Sequence, residues 1–358
     1  MIIAASDRTF LAALENRALS VLQYFPEDEF MKTMNEFLNA YTFAFCEKRG
    51  FTKGQGWRWS LAEMVRTTGC NAVILPVCAW QEHPWSTQVD TDTPDVISPE
   101  DVTQVCALAR ELGLRVILKA MVNCRDGSWR AYIHFFDDPV EGESGWEDWF
   151  ASWGRHVCQV ADMARENRAD MLCVGCEMIG ADHRDADWRK LIGKVRQRYG
   201  GTITYNCDKY QEDRVTWWDA VDVISSSGYY PIDEIEKNLV RIEQTAARAQ
   251  RPFMFMECGC PSRSGSERAP YDWTLDGAAD ASAQDRWYRA FTDGLLRHPF
   301  VRGTGWWDWP ATRLYAAAYG PDNRGYCTYG KPAGETLLRF AAALNARPAA
   351  ENKPCQNV

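Results

Sequence analysis

The sequence predicts a single-domain (β/α)8 barrel, and three observations lead to that fold class. Eight short apolar runs alternate with helical patterns along the 358 residues, which is the order expected of such a barrel. The links from helix back to strand are short, whereas several links from strand into helix are long, as in barrels whose functional loops gather at one end. The 46% hydrophobic content can bury one large core. An open doubly wound sheet is the rival fold class.

The eight strand-like runs are bounded by turn residues and separated by amphipathic patterns. In chain order the runs cover residues 40–45, 72–77, 115–122, 171–175, 202–205, 221–226, 252–256 and 303–307. Helical patterns cover residues 60–68, 99–112, 149–167, 187–199, 235–250, 284–298 and 331–344. Residues 208–222, between the fifth and sixth runs, show only a faint helical pattern.

Two segments flank the predicted barrel of residues 40–345. Ser6 precedes an amphipathic run to about residue 25, which predicts a capped helix. We therefore expect residues 1–39 to form a helical segment that packs on the barrel. Residues 346–358 are polar and contain two prolines, so we expect a loose tail.

Composition and charge narrow the classes of partner. The chain has 40 basic and 49 acidic residues and a net charge of −9, without a basic cluster that could follow a phosphate backbone, so nucleic acid is not expected as a partner. No apolar run reaches membrane-spanning length and the start lacks the features of a secretory signal, so we expect no membrane association and a cytoplasmic location. The 13 scattered cysteines agree with a reducing compartment. The oligomeric state is left open.

Two glutamates stand where apolar runs end. Glu177 follows the fourth run and Glu257 follows the seventh, so both should project over the same mouth of the barrel. A buried carboxylate without a partner is unfavourable by several kcal/mol, and such a group is therefore paired or faces a cavity. A carboxylate pair with one protonated and one ionised member can cleave a glycosidic bond. The alternative is that either glutamate only ties down a loop through a salt bridge.

Short motifs spread through the predicted barrel carry a family resemblance. They are residues 68–74, 113–119, 129–130, 174–177, 188–192, 195–196, 204–205, 228–231, 256–259 and 303–309. In this order the set resembles glycoside hydrolase family 113, a β-mannanase family of a large clan of retaining (β/α)8 hydrolases. The resemblance implies hydrolysis of β-1,4-mannosidic bonds in mannan-derived oligosaccharides, by a double displacement without a metal or organic cofactor.

The resemblance also implies roles for single residues. The acid/base of this clan follows the fourth strand and the nucleophile follows the seventh, which implies Glu177 as acid/base and Glu257 as nucleophile. Tyr229 matches the tyrosine that hydrogen-bonds the nucleophile. Lys119 and Arg130 would line the sugar subsites.

Tryptophans and one aspartate complete the predicted substrate-binding set. The chain has 16 tryptophans, and tryptophan rings in loops can stack on the apolar faces of sugars. The resemblance implies that Trp307, at the end of the last strand, lines the sugar subsites as a stacking platform. Trp80 and Trp129 lie in or beside the long loops, and Asp208 follows the fifth strand.

Four residues at three sites depart from the family pattern. Cys176 stands where many enzymes of the clan have an asparagine directly before the acid/base. Ala120 and Met121 stand where a Pro-His pair is expected, and Asp208 stands where an asparagine would follow the fifth strand. These positions lie close to the expected substrate, so the preferred sugar, the chain length and the choice between endo and exo action stay open.

The sequence is also compatible with other activities and with other kinds of site. An exo-β-mannosidase or a hydrolase of another β-glycoside is the nearest alternative, and a non-catalytic sugar-binding barrel or a metal-dependent lyase or aldolase are alternatives of different classes. Cys173 and Cys176 have the spacing of half a zinc site or a redox pair, but a regular strand would point them to opposite faces, which favours structural thiols. The charged residues 182–185 fit a solvated loop. We therefore expect no metal site.

Overall fold

A computed structural model of the chain shows a closed barrel of eight parallel strands in which β8 pairs with β1. The structure describes residues 36–138, 141–314 and 316–346. The strands are β1 Leu38–Phe43, β2 Ala72–Gln81, β3 Arg115–Cys124, β4 Met171–Cys176, β5 Thr202–Cys207, β6 Val223–Ser227, β7 Phe253–Cys258 and β8 Val301–Trp309. The predicted (β/α)8 fold is confirmed.

Helices cover the outside of the barrel. They are α1 Gly56–Thr68, α2 Pro99–Glu111, α3 Trp146–Glu166, α4 Asp185–Arg196, α5 Ile235–Ala249, α6 Ala281–Arg297 and α7 Pro332–Asn345. Short 3-10 helices, Phe51–Lys53, Arg130–Tyr132, Trp218–Ala220 and Ser266–Arg268, lie in the connections, as does the four-residue helix Ala316–Tyr319. The long loops follow β2, β3, β7 and β8, so they gather at the carboxyl ends of the strands.

The interior of the barrel has an apolar floor toward the amino ends of the strands. Ile74, Ile117 and Met256 are among its fully buried side chains. Gly305 of β8 leaves room for this packing, because a Cβ at that position would lie 2.4 Å from Ile74 Cδ1 and from the carbonyl oxygen of Met256. Lys119 lies two residues beyond Ile117 on the same face of β3. Its side chain therefore rises from the floor toward the carboxyl ends of the strands.

Each of the eight predicted strands is present, and several extend further toward the mouth of the barrel than predicted. The faint helical pattern at residues 208–222 corresponds to the 3-10 helix Trp218–Ala220. The indole of Trp217 donates to the carbonyl oxygen of Asp182 at 3.0 Å, and that of Trp218 donates to the carbonyl oxygen of Glu212 at 2.8 Å. These buried rings, rather than an α-helix, cover the barrel between β5 and β6.

The predicted flanking segments fall almost entirely outside the described residues. The first strand begins at Leu38, two residues before the predicted start of the barrel, and α7 ends at Asn345. The helix predicted within residues 1–39 lies outside the part of the chain that the structure describes, as does the tail beyond residue 346. Among the described helices, none is both long and apolar enough to cross a membrane. A cytoplasmic location stays a prediction.

Candidate active site

Glu177 and Glu257 lie together at the mouth of the barrel. Glu177 directly follows β4, and Glu257 is the penultimate residue of β7. Both side chains are buried, and the two residues are 6% and 3% exposed. One carboxylate oxygen of Glu177 lies within 4.8 Å of one of Glu257. The two glutamates that the sequence singled out therefore belong to one site.

Three donors surround the carboxylate of Glu257. The ammonium group of Lys119 donates to Oε1 at 2.5 Å, and the thiol of Cys176 donates to the same oxygen at 3.3 Å. The hydroxyl of Tyr229 donates to Oε2 at 3.1 Å. Lys119 is fully buried. A buried ion pair is tolerated only when further hydrogen bonds satisfy both partners, and these contacts meet that condition for Glu257.

Charge interactions favour the ionised form of Glu257. Burial alone would raise the pKa of Glu257, but the charges of Lys119 and Arg130, together with hydrogen bonds from Lys119 and Cys176, lower it below the ordinary value of a glutamate. Burial acts to lower the pKa of Lys119, but interactions with Cys176 and Glu257 raise it above the ordinary value of a lysine. The pair is therefore an ammonium and a carboxylate.

The carboxylate of Glu177 also has three donors. Arg130 Nη1 donates to Oε2 at 2.9 Å, and Trp129 Nε1 donates to the same oxygen at 3.3 Å. The hydroxyl of Ser227 donates to Oε1 at 2.6 Å. Arg130 is itself held by β3, because its Nε donates to the carbonyl oxygen of Val122 at 3.1 Å. The orientation of Glu177 is thus fixed from β3 and β6.

Two polar side chains that the sequence reasoning missed connect the two glutamates. Asn206 Nδ2 donates to Ser227 Oγ at 3.0 Å, and Lys119 Nζ donates to Asn206 Oδ1 at 3.3 Å. A chain of hydrogen bonds therefore runs from Glu257 through Lys119, Asn206 and Ser227 to Glu177. The available signal was the presence of polar residues at the carboxyl ends of two otherwise apolar strands, β5 and β6.

Asp208 lies beside this network. It is 5% exposed, and Lys209 Nζ is 3.6 Å from its Oδ1. Burial and the charge of Glu177 raise the pKa of Asp208 to about 7. The ammonium of Lys209 also lies 6.0 Å from the ring centroid of Trp129, which is 37% exposed. Asp208 and Trp129 therefore border the site near Glu177, and their role in substrate binding stays a prediction.

Trp307 is largely covered by neighbouring rings, and its role as a stacking platform stays a prediction. It is only 3% exposed, and Phe45 packs edge-on against it with ring centroids 4.5 Å apart. Trp273, from the loop after β7, lies edge-on to Trp307 at 6.4 Å and is itself 58% exposed. We call Phe45, Tyr229, Trp273, Trp307 and Tyr326 the aromatic wall. Trp273, carried by the loop after β7, is the most exposed ring of this wall.

Trp80 lies near the end of β2 and packs against the loops that follow β2 and β3. Its indole donates to the carbonyl oxygen of Asp95 at 3.2 Å, and its backbone pairs with Asp90. The guanidinium of Arg125 lies 5.5 Å from the ring centroid. These contacts do not connect Trp80 to either glutamate, so its role in substrate binding stays a prediction.

The two cysteines of β4 have different hydrogen-bond partners inside the barrel. The pairing of β4 with β5 shifts register between Cys173 and Cys176, so the expectation of a regular strand with opposed side chains was wrong. The thiol of Cys173 donates to the carbonyl oxygen of Gly175 at 3.1 Å, whereas the thiol of Cys176 reaches Glu257. The irregularity turns Cys176 toward the site.

Cys176 and the two glutamates could in principle hold a metal ion, since one ligand atom from each lies within 4.8 Å of the others. However, Lys119 and Arg130 already form ion pairs with the two carboxylates at 2.5 and 2.9 Å. A metal ion would add positive charge beside two buried cations. The charge balance of these donors fits a pair of carboxylates better than a metal centre.

Known proteins show which families the chain resembles. The family model described as Glycoside Hydrolase Family 113 matches residues 41–331. A solved structure of a GH113 β-1,4-mannanase is 40% identical, covers 86% of this chain and 99% of its own, and has a TM-score of 0.84. The GH113 β-mannanase AaManA from Alicyclobacillus acidocaldarius, in complex with ManMIm, is 37% identical with a TM-score of 0.82, and the match covers 86% of this chain and 98% of AaManA.

More distant structures share only the fold. A β-D-glucuronidase from Dictyoglomus thermophilum is 15% identical with a TM-score of 0.57, and the match covers 89% of this chain and 52% of the glucuronidase. None of the curated proteins compared with the chain matches it.

Proposed function

Because the chain belongs to glycoside hydrolase family 113, we propose that it hydrolyses β-1,4-mannosidic bonds with retention of the anomeric configuration. The observation that carries this proposal is the separation of Glu177 and Glu257, whose nearest carboxylate oxygens lie within 4.8 Å of each other. Retaining glycosidases hold their carboxyl groups roughly 5 to 5.5 Å apart, whereas inverting enzymes leave about 6.5 to 9.5 Å for a water molecule. The short separation supports retention.

In the first step, Glu257 attacks the anomeric carbon while Glu177 gives a proton to the leaving oxygen. Glu257 is suited to attack because Lys119 and Arg130 keep its pKa low, and a carboxylate must be ionised to act as a nucleophile. Tyr229 donates to Oε2 and Lys119 to Oε1. These two contacts orient the carboxylate, and the product of this step is a covalent glycosyl-enzyme.

In the second step, Glu177 takes a proton from a water molecule that attacks the glycosyl-enzyme from the side the leaving group vacated. The three donors to Glu177, Arg130, Trp129 and Ser227, suit the carboxylate that this step requires. Two displacements at the same carbon restore its original configuration. Each step is thus a nucleophilic displacement at the anomeric carbon coupled to one proton transfer.

Linear β-1,4-manno-oligosaccharides are the substrates we propose, since the similar structures at 37–40% identity are named β-mannanases. Such sugars are neutral and present apolar faces on which aromatic rings stack. The partly exposed ring of Trp129 borders the site at Glu177, and that of Trp273 packs against Tyr326 of the aromatic wall. A sugar chain that runs between these rings would place one bond over the two carboxylates.

The stereochemistry of the first product tests the proposal. Hydrolysis of mannopentaose is followed by proton NMR from the first minute, before the reducing ends equilibrate. We expect the β-anomer to appear first and the α-anomer to grow in afterwards. The Glu257→Gln variant, prepared identically, serves as the control for contaminating enzymes and should be inactive. An α-anomer as first product would contradict retention, and the absence of hydrolysis would contradict the substrate class.

A further inference from the structure

We propose that Tyr205 and Asp182 form a positioning pair that holds the backbone of Glu177 in the conformation required for proton donation. This inference rests on the proposed function, in which Glu177 is the acid/base. Tyr205 does not touch the carboxylate of Glu177 in this arrangement, so its role is to position rather than to react. The evidence comes from the contacts on both sides of Glu177 along the chain.

Tyr205, on the neighbouring strand β5, contacts the chain both before and after Glu177. The backbone N–H of Met178, directly after Glu177, donates to the hydroxyl oxygen of Tyr205 at 3.2 Å. On the other side, the ring of Tyr205 lies against Gly175, where an added Cβ would be 2.9 Å from ring atom Cε2. Gly175 therefore has to lack a side chain for Tyr205 to lie there. The next residue of β5, Asn206, accepts the N–H of Glu177 at 2.7 Å.

The backbone of Glu177 needs this support. Its φ is 52°, in the left-handed region that L-residues other than glycine seldom adopt and that costs conformational energy. Such a conformation persists only when the surrounding contacts hold it. The bonds from Glu177 N–H to Asn206 and from Met178 N–H to Tyr205 are the contacts from β5 that do so. Loss of either bond would remove one of these two restraints on the backbone of Glu177.

The ring of Tyr205 is held rigidly. It is fully buried, and its centroid lies 4.9 Å from those of Trp188 and Trp217. These two tryptophans stack on each other with centroids 5.0 Å apart. The position of the Tyr205 hydroxyl is therefore set by the packing between α4 and the connection after β5, and the hydroxyl can serve as a fixed acceptor for the Met178 N–H.

Asp182 fixes the direction of the hydroxyl proton. The hydroxyl of Tyr205 donates to Asp182 Oδ1, which turns its lone pairs toward the N–H of Met178. Asp182 is 6% exposed, and among the described residues its Oδ2 has no hydrogen-bond partner. A buried polar atom without a partner lowers stability. A carboxyl group buried at such a cost, one hydrogen bond removed from the backbone beside Glu177, points to function rather than to packing.

The test uses two aryl β-mannobiosides that differ only in their leaving groups. Dinitrophenolate leaves without a proton, whereas phenolate needs the proton from Glu177. For Tyr205→Phe we expect kcat/KM to fall about tenfold or more with the phenyl substrate and to stay within about twofold with the dinitrophenyl substrate. The parameter kcat/KM is the right one, since it reports the steps up to formation of the glycosyl-enzyme.

Tyr199→Phe is the matched control. Tyr199 is also fully buried, and its hydroxyl donates to the carbonyl oxygen of Ala169 at 2.7 Å. It therefore crosses from the beginning of β5 to the beginning of β4, at the opposite end of the same two strands. We expect this variant to lose stability without any difference between the two substrates. An equal loss on both substrates for Tyr205→Phe, or no loss, would overturn the positioning role.

Glu177→Ala, measured on the same two substrates, separates this inference from the proposed function. If Glu177→Ala shows no dependence on the leaving group, the assignment of Glu177 as acid/base is wrong. If Glu177→Ala shows the dependence and Tyr205→Phe does not, only the positioning role is wrong.

Asp182→Ala keeps the inference testable if Tyr205→Phe folds poorly. This substitution removes an oxygen without a partner but also removes the acceptor of the Tyr205 hydroxyl. Because the two effects on stability oppose each other, we expect a melting temperature within about 3 °C of the parent protein. We also expect the same preference for the dinitrophenyl substrate, though weaker than for Tyr205→Phe. A large drop in melting temperature with equal activity losses on both substrates would mean that Asp182 is a packing residue.

Discussion

At the scale of single residues, the site is organised around the charge of Glu257. Burial of this carboxylate would by itself favour its neutral form, yet Lys119 and Arg130 lower its pKa below the ordinary value. Lys119 is fully buried and donates to Glu257 and to Asn206, so its charge acts directly on the nucleophile. The charge of Lys119 should therefore control the pH at which the enzyme loses its nucleophile.

Lys119→Met tests this link through the pH dependence of kcat/KM. Glu257 must be ionised to react, and its pKa rises when the charge of Lys119 is removed. The acid limb of the profile should therefore move to higher pH, by about one pH unit. At the pH optimum we expect a loss of roughly 100-fold or more, since a charged group that orients the nucleophile is missing.

Lys331→Met is the control for the removal of a buried lysine. Lys331 is 4% exposed and donates to Asn323 Oδ1 and the Gly325 carbonyl oxygen, both at 3.2 Å. Burial lowers its pKa to about 8. This variant should lose stability but keep its acid limb. If the two variants shifted the acid limb equally, Lys119 would not act through Glu257.

At the scale of elements, the connections after β5 and β7 complete the site. The first carries Asp208 and lacks an α-helix, and a buried carboxylate ties it down instead. Glu212 is fully buried and accepts from Ser226 at 2.9 Å, Tyr230 at 2.7 Å and Arg241 at 2.7 Å. These partners belong to β6, the loop after it and α5. One side chain therefore joins three elements next to the site.

Glu212→Ala should be strongly destabilising. It would leave the partly buried guanidinium of Arg241 and two buried hydroxyls without their acceptor, and removal of one partner of a buried ion pair typically lowers the free energy of unfolding by about 3–5 kcal/mol. The measurement is denaturant unfolding followed by tryptophan fluorescence. Glu236→Ala is the control, because Glu236 of α5 forms an exposed pair with Arg297 of α6 and exposed pairs contribute little. Equal midpoints for both variants would contradict this account.

The loop after β7 supplies the open ring of the aromatic wall, and Trp273→Ala tests whether that ring binds sugar. Trp273 is 58% exposed, so its removal should leave the melting temperature nearly unchanged. We expect KM for mannopentaose to rise about tenfold, the effect of roughly 1.4 kcal/mol of lost stacking. Leu338→Ala, which removes an exposed side chain on α7, should change neither quantity. An unchanged KM for Trp273→Ala would exclude this ring from the binding site.

At the scale of the whole molecule, most of the architecture could be predicted from the sequence. Strand and helix periodicities predicted all eight strands, and the long loops after β2, β3, β7 and β8 indicated which end holds the site. The two glutamates could be found because an ionisable residue at the end of an apolar strand needs a partner or a cavity. These are local signals, and each can be read from a few neighbouring residues.

The sequence could not provide features that depend on contacts between strands. Ser227 and Asn206 look like ordinary polar residues in sequence, and only the closed barrel brings them between Glu177 and Glu257. The register shift that turns Cys176 inward likewise arises from the pairing of β4 with β5. The rings that pack against Trp307 come from separate parts of the chain, Phe45 after β1 and Trp273 after β7. The conformation of loops that lie far from Trp307 along the chain could not be predicted from the residues around it.

The central claim is that Glu257 attacks the sugar and Glu177 moves the proton. Azide rescue of the two alanine variants, with an activated aryl β-mannobioside as substrate, tests this division of roles directly. In Glu257→Ala, azide can enter the space left by the nucleophile and should give an α-glycosyl azide. In Glu177→Ala, the glycosyl-enzyme still forms, and azide should then displace Glu257 to give a β-glycosyl azide.

Proton NMR of the isolated products identifies the anomer from each variant. The account predicts the α-azide from Glu257→Ala and the β-azide from Glu177→Ala, with both variants severely impaired when azide is absent. The opposite pair of products would show that the two roles are exchanged, and full activity in either variant without azide would place the reaction elsewhere in the molecule.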